Sequence, residues 1–315
     1  MLTVSNADRV VFPDIGRTKG DVVAYYERIA ARALPHLLER PLSLRRYPKG
    51  LAAPGFFQKN VPAHYPGSIA RFAVPRSREA TKKHKDPDAR AKDVTIFPVV
   101  SELEHLPYLA NQGAIELHVP TAKVSHLHRP DRVVIDLDPP PGETKLVRRA
   151  AQITRGALAD YGLPTVPIAT GSKGYHVVAA IEPNVDGDVL ARATQKLAAL
   201  LVGKHPDVFT TVFRVALRGE RVFVDWLRNN GGATVVAPYS LRARPRATVA
   251  TPLGWDELET TDPDAFTLDD VDKLLGRPDT LAALQPVDAR PFVSAVDEAF
   301  SRAGLVLDTF DRFRS

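Results

Sequence analysis

Between residues 131 and 226 the chain reads as strand, helix, strand, strand, helix, strand, and few folds accept that order. RVVIDLD (132–138) has the apolar, β-branched run of a strand. TKLVRRAAQITRGALADYG follows, with Leu146, Val147, Ala150, Ile153, Ala157 and Leu158 on one helical face and Gly162 and Pro164 as stop signals. TVPIAT reads as a short strand, GSKG as a turn and YHVVAAI as the next strand. GDVLARATQKLAALLVG reads as a second helix, and VFTTVFRVAL and RVFVDWL as strands joined across RGE. The order β-α-β-β-α-β is ferredoxin-like or RRM-like, here with one extra strand. Such a sheet is antiparallel, with helices on one face and the other free to carry a site. The expected fold class is α+β. It has an RRM-like core over 128–250, an N-terminal α/β module over 1–127 packed against it, and a C-terminal helical segment over 251–315, all in one compact unit.

Upstream, TKGD predicts a helix start at Thr18, with Asp21 completing a capping box. Val22, Val23, Tyr26, Ile29 and Ala30 keep helical spacing, and Pro35 is expected to kink or end that helix. Residues 74–93 lack apolar periodicity and hold Arg76, Arg78, Lys82, Lys83, Lys85, Arg90 and Lys92, which reads as a long, solvated basic loop. Lys plus Arg total 42 against 37 acids, for a formal charge of +5, which suits a polyanionic partner such as nucleic acid. The absence of cysteine removes disulfides, thiolate catalysis and Cys-type zinc sites, and fits a reducing cytoplasm. No apolar run nears the roughly 20 residues of a membrane helix, and MLTVSNADRV lacks the pattern of a secretory signal.

Asp136 and Asp138 interrupt an apolar strand and point the same way, about 6.6 Å apart at about 3.3 Å per residue. That spacing suits a pair of divalent ions, which lie roughly 3.5–4 Å apart in two-metal sites. A strand end emerging into water would also carry D-x-D. In RVFVDWL, Arg221, Phe223 and Asp225 share one face, and the strand order can bring Asp225 beside the first pair. Three carboxylates without cysteine point to hard ions, Mg²⁺ or Mn²⁺, that would neutralise a triphosphate and activate a hydroxyl. TGSKGYH joins two strands, so it is a tight hairpin and not a P-loop. Its glycines, its hydroxyls and Lys173 can still meet phosphate oxygens, with His176 opening the next strand. A turn with a surface lysine and a packed histidine is the plainer alternative. Phe56 and Phe57, after Pro-Gly in an expected loop, are either core aromatics or a surface on which bases stack.

Together, NADRVVFP, TKGDVVAYY, PGFFQKN, AIELHVP, VVIDLDPP, TGSKGYHV, VFVDW and APYSLRAR resemble the archaeo-eukaryotic primase superfamily across nearly the whole chain. The likeness is to the polymerase domain of bacterial DNA ligase D and its stand-alone relatives. The resemblance implies a template-dependent nucleotidyltransferase (a primase-polymerase) that extends 3′ ends with NTPs or dNTPs, using two Mn²⁺ or Mg²⁺ ions. Asp136, Asp138 and Asp225 match the metal-binding acids; Thr170, Ser172, Lys173 and His176 match the hairpin that holds the triphosphate. His118 matches a histidine near the nucleotide sugar, where a polar group can favour a 2′-hydroxyl, and Arg242 and Arg244 match basic residues facing the triphosphate. Phe56 and Phe57 match a pair set against the template strand. Arg9, where the family has Lys, and Lys19 match the grip on a downstream 5′-phosphate, and Arg45 and Arg46 match a further basic pair. The 74–93 stretch is longer than in the ligase-fused domain, which implies a different grip on DNA.

The expected partners are gapped or 3′-overhang DNA with a 5′-phosphate, and NTPs or dNTPs. With no K-x-D-G adenylation motif, joining is expected to fall to a separate ligase, aided by an end-binding repair protein. The expected setting is a monomer in the cytoplasm, near the nucleoid. Two other functions fit the residues: a nucleotidyl cyclase, which needs no DNA, and a non-catalytic DNA end-binding module.

Overall fold

A computed structural model describes residues 2–75 and 94–307. β1 (Val10–Phe12) pairs antiparallel with β2 (Arg17–Thr18) and runs straight into α1 (Lys19–Leu37). The capping box forms: the Thr18 hydroxyl accepts from the Asp21 amide, and the Asp21 carboxylate accepts from the Thr18 amide. Pro35 sits within the last turn, where its missing N–H leaves the Ala31 carbonyl without a ladder partner, and α1 ends two residues later at Leu37. Next come β3 (Ser43–Arg46), β4 (Phe56–Gln58), β5 (Ala70–Pro75), β6 (Val94–Val99), α2 (His105–Asn111) and β7 (Ala114–Val119). β5 and β6 form an antiparallel ribbon. Val74 and Pro75 therefore close a strand, and the rest of the stretch expected as a basic loop lies outside the described residues.

The central run forms as β8 (Arg132–Asp138), α3 (Thr144–Asp160), β9 (Val166–Ala169), β10 (Tyr175–Ala180), α4 (Gly187–Lys204), β11 (Phe209–Thr210) and β12 (Val222–Asp225). β13 (Val235–Val236) and β14 (Thr251–Pro252) follow, then α5 (Val271–Gly276), α6 (Thr280–Ala283) and α7 (Arg290–Arg302). The large sheet has the order β11-β12-β8-β10-β9-β14, with β8 flanked antiparallel by β12 and β10. This is the split β-α-β core, with β11 as the extra edge strand. One expectation fails here. The run VFTTVFRVAL is a strand only at Phe209–Thr210, and β11 lies parallel to β12, so no hairpin joins them. A parallel neighbour demands a crossover, and 211–221 supplies it as an irregular segment in which Val215 and Leu217 stay exposed.

Alternation along β8 sorts the two faces. Val133, Ile135 and Leu137, with Tyr175, Val177, Val222 and Val224, pack onto α3, α4 and α7 through Val147, Leu158, Leu190, Leu197, Phe292 and Val296. The opposite face carries the acids. A second sheet, β13-β7-β3-β4, packs with α1 and α2 around Tyr26, Ile29, Leu44 and Leu117. That core is completed from far downstream by Tyr239, Leu241, Val249 and Leu274. Arg40 bridges the two bodies with a two-pronged bond to Asp131 at 2.7 and 2.9 Å.

Candidate active site

Pairing places the acids together. Asp225 stands opposite Asp136 across β12–β8, Phe223 opposite Asp138, and His176 opposite Asp136 on the other side. Directly opposed residues share a face, so all three carboxylates and His176 look the same way. Trp226–Asn229 then turns as a 3-10 helix, closing the strand at Asp225. Asn229 pins that turn: its side chain accepts from the Val134 amide at 2.9 Å and donates to the Val134 carbonyl at 2.7 Å, continuing the ladder where β12 stops.

The turn delivers Arg228 onto the acids. Its Nε lies 3.0 Å from Asp136 Oδ2, and its terminal nitrogen 3.0 Å from Asp225 Oδ2. His176 Nε2 approaches Asp136 Oδ1 at 3.5 Å. Burial raises the pKa of Asp136, against the pull of Arg228. Burial and repulsion from Asp136 push Asp138 up to about 6. Burial also lifts Asp225 to about 6, opposed by Arg228 and aided by the other two acids. His176 falls to about 3 through burial and the nearby Arg228 and Arg242, so its ring is neutral.

Among the described residues, no three His, Asp or Glu stand ready-spaced around a metal, because Arg228 occupies the middle of the acid cluster. The donor chemistry still fits hard cations. The site offers oxygen ligands, crowded until their ionised forms are unfavourable and relieved by a single guanidinium.

The hairpin between β9 and β10 closes through the Thr170 hydroxyl and amide, both donating to the Gly174 carbonyl. Gly174 must be glycine: a Cβ there would lie 1.9 Å from the Leu137 carbonyl oxygen of β8. The segment after β13 brings both predicted arginines to this hairpin. Arg242 donates to the Thr170 carbonyl at 2.6 Å, and Arg244 to the Ser172 hydroxyl at 2.8 Å. Lys173 is exposed at the tip.

His118 lies on β7, its ring edge-on to Phe57 at 5.4 Å; burial lowers its pKa, Glu116 opposes that, and the charges of Arg242 and Arg228 add to the lowering. Phe56 and Phe57 lie in β4, not in a loop, and both are about half exposed. Arg46 and Arg45 on β3 are their cross-strand partners, with guanidinium carbons 5.6 and 5.7 Å from the ring centres. Arg9 and Lys19 stand apart from the acids, in a separate cavity of about 190 Å³ also lined by Asn6, Arg46 and Asn111. Lys19 is buried, its ammonium donating to the Ser5 carbonyl and hydroxyl at 2.6 and 2.8 Å.

Sequence reasoning missed Arg228, Asn229, Glu116 and Asn6. A charged residue three after the last acid was the only signal for Arg228, and a lone Glu in an apolar strand the only signal for Glu116.

A family model for the LigD primase-polymerase domain matches residues 18–281. The multifunctional non-homologous end joining DNA repair protein LigD of Mycobacterium tuberculosis is 34% identical over 269 residues, which is 82% of this chain and 33% of that protein. The bifunctional non-homologous end joining protein LigD of Bacillus subtilis is 30% identical over 273 residues, covering 86% of this chain and 42% of that one. The chain thus spans well under half the length of these relatives. Among solved structures, the polymerase domain of Mycobacterium tuberculosis ligase D in complex with DNA superposes with a TM-score of 0.78 at 31% identity, over 90% of this chain and 98% of that one. With the split β-α-β sheet, the acids on its open face and the sequence match all in agreement, the chain belongs to the LigD primase-polymerase domain family.

Proposed function

We propose that the protein is a template-directed nucleotidyltransferase that adds ribo- or deoxynucleotides to DNA 3′ ends during short-gap filling or end joining. The register carries this reading: Asp136, Asp225 and His176 stand side by side on three adjacent strands, with the arginine-bound hairpin next to them. Asp136, Asp138 and Asp225 would hold two divalent cations, Mg²⁺ or Mn²⁺. When bound, such ions neutralise a triphosphate and lower the pKa of an attacking hydroxyl. Thr170, Ser172 and Lys173 offer hydroxyls and an ammonium to the triphosphate, Arg242 and Arg244 add guanidiniums, and neutral His176 can donate one N–H. His118 faces the sugar. The 3′-oxygen attacks the α-phosphorus as its proton leaves, and the bond to the bridging oxygen breaks to release pyrophosphate.

Arg9 and Lys19 hold a downstream 5′-phosphate, and Phe56 and Phe57, backed by Arg46 and Arg45, stack on the template strand. A ligase activity and an end-binding protein complete the joining, and the chain works as a monomer in the cytoplasm.

The test is extension of a primer on a gapped duplex, with and without a 5′-phosphate, with each metal, and with a template-free control. Asp136→Ala and Asp225→Ala are each expected to abolish incorporation while DNA binding by anisotropy persists. Full activity in either variant, or product formed without template, overturns the reading. Lys19→Ala is expected to remove the preference for a 5′-phosphorylated gap, compared at one salt concentration because phosphate contacts are screened.

A further inference from the structure

Glu116 lies at the centre of β7 with a side chain only 1% exposed, yet nothing in the proposed chemistry uses it. Four groups from three separate stretches converge on it. Oε1 accepts from the Ala243 amide at 2.9 Å and lies 3.5 Å from both Arg242 Nε and Arg45. Oε2 lies 2.9 Å from His118 Nε2. Burial pushes its carboxyl up, but the His118 bond, Arg242 and the Ala243 amide outweigh that and hold it at about 2. An ionised carboxylate only accepts hydrogen bonds. The shared proton must therefore sit on His118 Nε2, which leaves Nδ1, in the neutral ring, as an acceptor. Nδ1 takes no hydrogen bond among the described residues. A pocket wall that presents an acceptor calls for a donor on the ligand. A triphosphate ionised at neutral pH offers none, whereas a sugar hydroxyl does.

We propose that Glu116 is a positioning residue that fixes the His118 tautomer, and that the acceptor nitrogen so created selects nucleotides carrying a 2′-hydroxyl. This rests on the reading of His118 as the sugar-side residue. Glu116 acts through His118, while its grip on Arg242 serves ribo- and deoxynucleotides alike. The ratio of their kcat/KM values therefore separates the two roles.

In Glu116→Gln, the amide can donate to Nε2 and move the ring proton to Nδ1, replacing the acceptor with a donor. The full-length variant is expected to lose about five- to tenfold of the ribo-over-deoxy kcat/KM ratio, roughly the value of one hydrogen bond. The loss should fall mainly on the ribonucleotide KM. In a His118→Ala background the same change should leave the ratio unmoved. Imidazole ¹⁵N spectra report the tautomer without turnover: Nε2–H is expected in the wild type and Nδ1–H in Glu116→Gln. Equal loss for both nucleotide classes, the same ratio change with His118 absent, or an Nδ1-protonated wild-type ring overturns the proposal. If Glu116→Gln does not fold, the wild-type spectrum and the His118→Ala ratio decide it. A wild type that shows the Nε2 tautomer but no templated incorporation would instead sink the proposed function and leave the tautomer assignment standing.

Discussion

At the scale of single residues, the site is a surplus of negative charge held in check by one guanidinium. Arg228 is about a third exposed, while Asp136 and Asp225 are nearly buried. A fully buried pair broken on one side costs roughly 3–5 kcal/mol; partial exposure brings the expectation for Arg228→Ala to about 2–3 kcal/mol. Thermal melts in chelator are the measurement, and added Mn²⁺ should restore more of the melting temperature in the variant than in the wild type. An equal Mn²⁺ shift in both would show that Arg228 does not stand in for a cation. The acids themselves were legible because strand alternation alone puts Asp136 and Asp138 on one face. Glu116 was not legible. Its meaning comes from Arg45 and Arg242, which are distant in the chain and meet it only through the folding of β3 and the 242–244 segment.

At the scale of elements, the hairpin between β9 and β10 works because its backbone presses against β8. Gly174→Ala puts a methyl into the Leu137 carbonyl and should prise the hairpin from the strand that bears Asp136 and Asp138. The expectation is soluble protein that melts several degrees lower and has lost nucleotide affinity, read by calorimetry and by nucleotide titration. Gly67→Ala, where the added carbon meets nothing within 4 Å and the backbone, as at Gly174, is not in the positive-φ region, is the control for losing a glycine alone. The helices were the most legible elements. α1, α3 and α4 follow from capping, apolar stripes and stop signals that act within one or two turns. The misread element was 208–217, which is rich in strand-favouring Val, Phe and Thr, but where Val212, Val215 and Leu217 find nothing to cover them. Phe56 and Phe57 misled in the opposite sense: a strand edge was taken for a loop, since a short strand beside Pro-Gly carries too few residues to show a period.

At the scale of the molecule, acid should loosen the pocket before it unfolds everything. Glu116 has a folded pKa near 2 against 4.5 in an open chain, so its contribution is fully present above about pH 4.5 and fades as pH falls towards 2. His118, Arg45, Arg242, Tyr26 and Tyr47 are the titratable or charged groups that face it. Of these, His118 also gains a proton on the acid side. Urea midpoints for wild type and Glu116→Gln should therefore converge as pH drops through that window, and parallel curves would contradict the assignment. None of the described helices is long and apolar enough to cross a membrane.

After Asp225 the backbone leaves the acid-bearing sheet, turns through 226–234 and enters the other one as β13, alongside His118. One continuous thread thus stitches both walls of the cleft. A fragment cut before that crossing would leave β7 with a bare edge and the core of the second sheet without its Tyr239, Leu241 and Val249 plug. Each wall is therefore expected to need the other in order to fold, and a cleft of this design comes as one piece.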